Sequence, residues 1–100
     1  MASAHGGQDR ISTKAKLADE LVVLGAILVR TREHAGLKQR EVADRLGLPA
    51  SYLSKIEAGT RRLDVIELVR IAEAMGSDPA EIIRELREEL KKLGRTSLRK

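Results

Sequence analysis

Cysteine, phenylalanine and tryptophan are absent from these 100 residues, and Tyr52 is the one aromatic side chain. Without cysteine there is no disulfide framework, no thiolate nucleophile and no cysteine zinc site. That fits a reducing, cytoplasmic setting. Without Phe or Trp, the core has to be built from Leu, Ile, Val and Ala, side chains that suit packed helices. No segment alternates apolar and polar residues with period two over a useful length, so no strand is expected. One apolar run, "LVVLGAILV" (Leu21 to Val29), has Lys14 and Lys16 upstream, in the manner of a signal peptide. It falls well short of the roughly 20 apolar residues that span a bilayer. Asp19 and Glu20 precede it and no small-residue cleavage site follows, so it reads as a buried helix. No membrane partner is expected.

Catalytic machinery is missing as well. No nucleophile sits with a base, no metal cluster is visible and no glycine loop could cradle a phosphate, so the chain does not read as an enzyme. His5 and His34 are isolated, and with no HExxH-like spacing neither a metal nor a cofactor is expected.

What remains is 42% hydrophobic and 34% charged, which at this length reads as one soluble globular domain. A net charge of +4 permits a nucleic-acid partner without demanding one. A chain this short has limited buried area, so dimerisation would add stability. A separate ligand-binding domain is not expected within this length.

Residues 1–18 are expected to form a largely flexible tail, opening with the small, polar "MASAHGGQDRI". A first helix starts between Ser12 and Asp19, runs to about His34 and ends at Gly36 in a left-handed cap. Leu17, Leu21, Leu24 and Leu28 recur at helical spacing. Val22, Val23, Ile27 and Val29 lie off that stripe, so a second face needs cover from the N-terminal segment, the C-terminal helix or a partner subunit. The second helix runs from Gln39 to Leu46, with Val42, Ala43 and Leu46 inward and Gly47 closing it. The third runs from Pro49 or Ala50 to Ala58. The fourth starts at Asp64, which forms a capping-box-like pair with Glu67. Its apolar residues are Val65, Leu68, Val69, Ala72 and Met75, and Gly76 stops it. The fifth opens on "SDPAE", with Asp78 as cap and Pro79 in the first turn. It runs to about Leu93, where Gly94 ends it. Five helices with short connections give an all-α bundle.

The third helix has the most informative surface. Leu53 and Ile56 face the core, while Ala50, Ser51, Ser54, Lys55 and Ala58 share the opposite face. That face is small, polar and basic. Small residues let a backbone approach closely, and hydroxyls and amines meet base edges in a major groove. The short turn before it fits a helix-turn-helix, in which one helix braces the next.

The segment "LKQREVADRLGLPASYLSKIEAG", Leu37 to Gly59, resembles the helix-turn-helix of phage Cro and repressor proteins, the XRE-type family. The likeness extends from about Leu24 through Asp78. It includes "AGLKQ", with Gln39 opening helix two, then Ala43, "YLSKIEAG" and "RRLDVIEL". The resemblance implies a lambda-repressor-like five-helix bundle that binds double-stranded DNA. By the same resemblance Gln39 would contact a phosphate and brace the recognition helix. Ala50, Ser51, Tyr52, Ser54 and Lys55 would face the groove, with Ser51 and Lys55 as base readers and Ala50 against a thymine methyl. Thr60, Arg61 and Arg62 would lie along the DNA backbone. Arg32 and Glu57 match a pair that forms an internal salt bridge between helices one and three.

The sequence also departs from the family. Helix two opens with Lys38 where Ser or Thr is usual, which leaves Glu41 without a side-chain cap to complete a box and places Lys38 near a phosphate. Helix three opens with Pro49 rather than a Ser-type cap, and Ala50 stands where longer polar base readers often occur. Direct readout is thin, so DNA shape and Arg/Lys contacts to the backbone are expected to supply much of the affinity.

In the fifth helix Ile83, Leu86, Leu90 and Leu93 make a heptad-like seam. Ile82 beside them enters the subunit's own core. Arg84 with Glu88, and Glu88 with Lys92, are spaced to pair along the helix. The seam is expected to form a homodimer that sets two recognition helices about 34 Å apart on a palindromic operator. The divisions are thus 1–18 tail, 19–78 DNA-binding domain, 79–94 dimerisation helix and 95–100 basic tail. The reading is a dimeric transcription regulator, a repressor. The alternative is an antitoxin-like or restriction-modification controller protein that also binds a protein partner, such as a toxin.

Overall fold

The computed structural model describes the backbone of residues 2–98 and the side chains of residues 17–93. Five helices follow in order: α1 Ala2–His34, α2 Gln39–Leu46, α3 Ala50–Glu57, α4 Val65–Ala74 and α5 Pro79–Leu98. Among the described residues there is no strand, and no helix is long and apolar enough to cross a membrane.

Each of the first four helices stops at a glycine with φ between 72° and 78°. At the end of α3 the Gly59 N–H donates to the Ile56 carbonyl and the Thr60 N–H to the Lys55 carbonyl, each at 3.0 Å. This is the Schellman arrangement, and its left-handed residue is easiest for glycine. Starts are set differently. Asp64 accepts from the Glu67 N–H at 2.7 Å while Glu67 accepts from the Asp64 N–H at 2.9 Å, a complete capping box. Asp78 accepts from the Ala80 N–H at 2.9 Å to open α5.

Two helix limits differ from the sequence expectation. The α1 backbone is helical from Ala2, not from between Ser12 and Asp19. The α5 backbone continues past Gly94 to Leu98. Extending a formed helix needs no new nucleus, and an internal glycine costs only about 1 kcal/mol relative to alanine. Neither segment contains a proline to stop the helix. The side chains of the Arg95–Lys100 tail, and of His5, lie outside the described residues.

The core is aliphatic throughout. Ile27 and Leu28 from α1, Val42 from α2, Leu53 and Ile56 from α3, Leu68, Ile71, Ala72 and Met75 from the α4 segment, and Ile82 from α5 form one buried cluster. Burying each large member is worth about 2 kcal/mol. Val65 is apolar but 68% exposed, and neighbouring Ile66 is 63% exposed. The first turn of α4 overhangs the edge of the core, and Ile71 fills the interior instead. The off-stripe face of α1 is covered in part by α5, and Arg30 of α1 pairs with Glu85 of α5. Arg45 of α2 donates to the Ala74 carbonyl at 2.6 Å, tying α2 to the end of α4.

The pairs along α5 are three residues apart rather than four. Arg84 pairs with Glu81 at 2.6 Å, Lys91 with Glu88 at 3.6 Å and Lys92 with Glu89 at 3.5 Å. Helical side chains lean toward the N-terminus, so each base reaches back to the acid one turn before it.

Candidate nucleic-acid interface

The placement of α3 depends on two glycines in tight contact with other elements. A Cβ built on Gly25 would lie 2.2 Å from the Glu57 carbonyl oxygen, and one on Gly59 would lie 2.7 Å from the Val22 Cα. Only hydrogen fits at either site, so α1 and the end of α3 meet backbone to backbone. Gly25 sits unremarked within the apolar run of α1. A glycine inside a helix weakens it and hints at a close approach, but nothing local says which element comes near.

Beside that contact lies Glu57, whose side chain is only 4% exposed. Arg32 grips it with two bonds, Nε to Oε2 at 2.7 Å and Nη2 to Oε1 at 3.0 Å. The Arg32 Nη1 also donates to the Leu37 carbonyl at 2.9 Å, and Gln39 Nε2 donates to Glu57 Oε1 at 2.7 Å. A buried carboxylate with several donors is fully satisfied. Its hydrogen bond to Glu57 holds the Arg32 pKa above the ordinary guanidinium value. Gln39 is thereby fixed against α3, and one N–H of its amide is committed inward.

On the outer face of α3, Ser51 and Lys55 are exposed and Ala50 is half-buried. The Ser54 hydroxyl donates to the Ser51 carbonyl at 3.2 Å. Thr60 donates from its hydroxyl to the Lys55 carbonyl at 3.1 Å, reinforcing the end of the helix. Arg62 is exposed.

Tyr52 lies differently from its helix neighbours, tucked toward α4. Its hydroxyl donates to Glu67 Oε2 at 3.0 Å. The Arg61 guanidinium stands 4.6 Å above its ring, and Arg61 Nη1 donates to the same Glu67 oxygen at 3.2 Å. Burial, then the bond to Glu67, push the Tyr52 hydroxyl pKa up. The Asp64 backbone N–H, helped by Tyr52 and Arg61, lowers the Glu67 pKa. The spacing from Asp64 identifies Glu67 as a cap, but its bonds to α3 and the following loop are tertiary and leave no local signal.

The starts of α2 and α3 contrast with those of α4 and α5. Lys38 precedes α2 and has no acceptor in its side chain, so only half a box forms, from the Lys38 N–H to Glu41 Oε1 at 2.7 Å. Pro49 precedes α3 and offers no side-chain cap. The first turn of α3 thus holds no carboxylate to repel a phosphate where the helix dipole attracts one, whereas α2 keeps Glu41 in its first turn.

Ile83 and Leu93 are each 45% exposed on α5, while Leu86 and Leu90 are half-buried. Leu86 packs against the subunit's own core. These residues lie on a different element from the α3 surface.

Comparison with known proteins gives a consistent result. The family model described as helix-turn-helix matches residues 28–82. The chain is 38% identical over 61 residues to an uncharacterized HTH-type transcriptional regulator, y4dJ, of Sinorhizobium fredii, covering 61% of this chain and 79% of that protein. Its structure is similar to an XRE-family like protein from Pseudomonas syringae pv. tomato, with a TM-score of 0.70 and 37% identity over 78% of this chain and 95% of that one. It is also similar to the restriction-modification controller protein C.AhdI from Aeromonas hydrophila, with a TM-score of 0.62 and 31% identity over 65% of this chain and 94% of that one.

Proposed function

Because this chain belongs to the XRE-type helix-turn-helix family of DNA-binding transcriptional regulators, we propose that it is a dimeric repressor that reads a palindromic operator with α3. The family is one of regulators, not of enzymes. The observation that carries the reading is the outer face of α3. Exposed Ser51 and Lys55 stand on a helix that is locked to α1 through Glu57 and whose own first turn holds no acidic residue.

In this reading Lys55 and Ser51 contact base edges and Ala50 approaches a thymine methyl. Lys38, Gln39, Thr60, Arg61 and Arg62 contact phosphates. Gln39 donates one amide N–H to Glu57, which leaves its second for DNA. Ser54 lies at the edge of the groove. Tyr52 contributes through Arg61 rather than by reaching a base, since its hydroxyl is taken by Glu67. Exposed Ile83 and Leu93, with Leu90, supply the dimer seam on α5. A two-fold pair then sets its recognition helices about one DNA turn apart. The protein works in the cytoplasm, where it meets DNA.

The test is selection of bound duplexes from a random library, with wild type beside Lys55→Ala. The expected result is an enriched two-fold-symmetric site with one position per half-site relaxed in the variant. Binding without sequence enrichment, abolished uniformly by salt, would reduce the basic face to a non-specific footprint.

A second reading is favoured by the likeness to a restriction-modification controller protein. A methyltransferase or nuclease gene found beside this one would support it. A short toxin-like reading frame beside the gene, with loss of viability when the protein is removed, would instead support an antitoxin that binds a protein partner.

A further inference from the structure

Glu67 joins three parts of the molecule that local spacing does not connect. Its Oε1 accepts the Asp64 N–H at 2.9 Å, which fixes the carboxylate on the first turn of α4. Its Oε2 accepts the Tyr52 hydroxyl from α3 at 3.0 Å and Arg61 Nη1 from the loop at 3.2 Å. The same Arg61 nitrogen donates to the Arg62 carbonyl at 2.9 Å, and the guanidinium lies over the Tyr52 ring. Arg61 is thus held in one plane by a carboxylate, a carbonyl and an aromatic face. Both bonds come from Nη1. A guanidinium has five N–H donors in a rigid fork, so the Nε and Nη2 donors remain for another acceptor.

We infer that Glu67 and Tyr52 are positioning residues for DNA binding, holding the Arg61 fork ready for a backbone phosphate. This rests on the reading of Arg61 as a phosphate contact. An arginine on a free loop gives up rotamer freedom when it meets a phosphate. Here that freedom is already restricted by packing within the subunit. Preorganisation of this kind raises affinity without adding a contact. Neither residue touches DNA. Glu67 even carries the wrong charge for it, so its effect must run through Arg61.

The test is a double-mutant cycle on the full chain, with affinity for a mixed-sequence DNA duplex of about two helical turns measured across a salt series. Arg61→Ala is expected to weaken binding roughly 3- to 10-fold and to make the salt slope shallower by about 0.9. Glu67→Gln and Tyr52→Phe are expected to weaken it roughly 2- to 5-fold each. Glu67→Gln keeps an amide oxygen for the Asp64 N–H, and Tyr52→Phe keeps the ring under Arg61, so both preserve the fold. In the Arg61→Ala background both should have no further effect. That loss of effect is the signature of action through Arg61, and a merely structural role would not produce it. If Arg61→Ala leaves affinity and slope unchanged, the phosphate reading fails and takes this inference with it. If Arg61→Ala weakens binding but the other two variants are neutral, or equally harmful in both backgrounds, only the positioning role is overturned. Tighter binding by Glu67→Gln would also overturn it, marking Glu67 as a charge that repels DNA.

Discussion

Arg32 on α1 closes a two-pronged bond on Glu57, the last residue of α3, with distances of 2.7 and 3.0 Å. The two side chains are 12% and 4% exposed, so this is a buried pair. Its net worth against an apolar replacement is small, but breaking it strands a charge. Arg32→Ala is therefore expected to destabilise the domain by about 3 to 5 kcal/mol in urea unfolding, a large fraction of the stability of a small domain. Replacing both partners with apolar residues of similar volume, Arg32→Met with Glu57→Leu, should cost far less. A double variant as unstable as Arg32→Ala would show that the pair itself, rather than the stranded charge, holds α3 in place.

Gly25 predicts an effect of opposite sign to helix propensity. Alanine at an exposed helix position would gain about 1 kcal/mol over glycine. Here its Cβ would meet the Glu57 backbone oxygen at 2.2 Å, and backbone cannot swing aside. Gly25→Ala should lower stability by about 1 to 3 kcal/mol, the usual range for overpacking. It should also weaken duplex binding, because relief of the clash moves α3. Denaturant midpoints and affinities measured on the same samples check both parts.

Lys38 presents a trade between stability and binding. The Glu41 half of a capping box is already formed, and the reciprocal half is missing because lysine cannot accept a hydrogen bond. Lys38→Ser supplies the acceptor and is expected to stabilise the domain by about 0.5 to 1 kcal/mol. It also removes a cation from the proposed phosphate surface. The salt slope for duplex binding should become shallower by about 0.9 as stability rises. A variant that gains stability with an unchanged slope would remove Lys38 from the interface.

The network at Glu67 gives stability a defined pH dependence. Its folded pKa lies below the ordinary 4.5 because the Asp64 N–H, Tyr52 and Arg61 all favour the charged form. A depressed carboxylate contributes stability that is present above the unfolded pKa and lost as pH falls through the folded one. The stability gap between wild type and Glu67→Gln is therefore expected to be widest above about pH 4.5 and to close as acid protonates the carboxylate. Urea unfolding of both proteins across the acid range measures it. A gap independent of pH would mean that the charge on Glu67 contributes nothing to folding.

Features with local causes were legible in the sequence, and those with tertiary causes were not. Gly36, Gly47, Gly59 and Gly76 end helices because each takes a left-handed turn, and Asp64 and Asp78 begin them because each caps an amide. Leu53 and Ile56 separate from Ser51 and Lys55 by helical period alone. The same period does not settle Val65, since spacing cannot say that the first turn of α4 overhangs the core. It missed the start of α1 and the continuation of α5, where no proline or cap marks a boundary. The bond of Tyr52 to Glu67 crosses between helices and leaves no local signal. Gly25 was hidden because the element it touches lies more than thirty positions away in the chain.

The proposed seam on α5 can be broken without disturbing the fold. Ile83 and Leu93 are each 45% exposed, so a charge at either has access to water in the monomer. Leu86 is unsuitable for the purpose because it packs on the subunit's own core. Ile83→Glu with Leu93→Glu should leave the thermal transition of the monomer nearly intact and shift sedimentation from dimer to monomer. Joining two recognition helices multiplies effective affinity through local concentration, commonly by 100-fold or more. Loss of the dimer should therefore weaken binding to a two-fold-symmetric operator by on the order of 100-fold, while binding to a single half-site changes little. Equal losses on both targets would place the damage in α3 instead. A dimer that survives both charges would move the interface off α5, to another exposed apolar surface such as Val65 and Ile66.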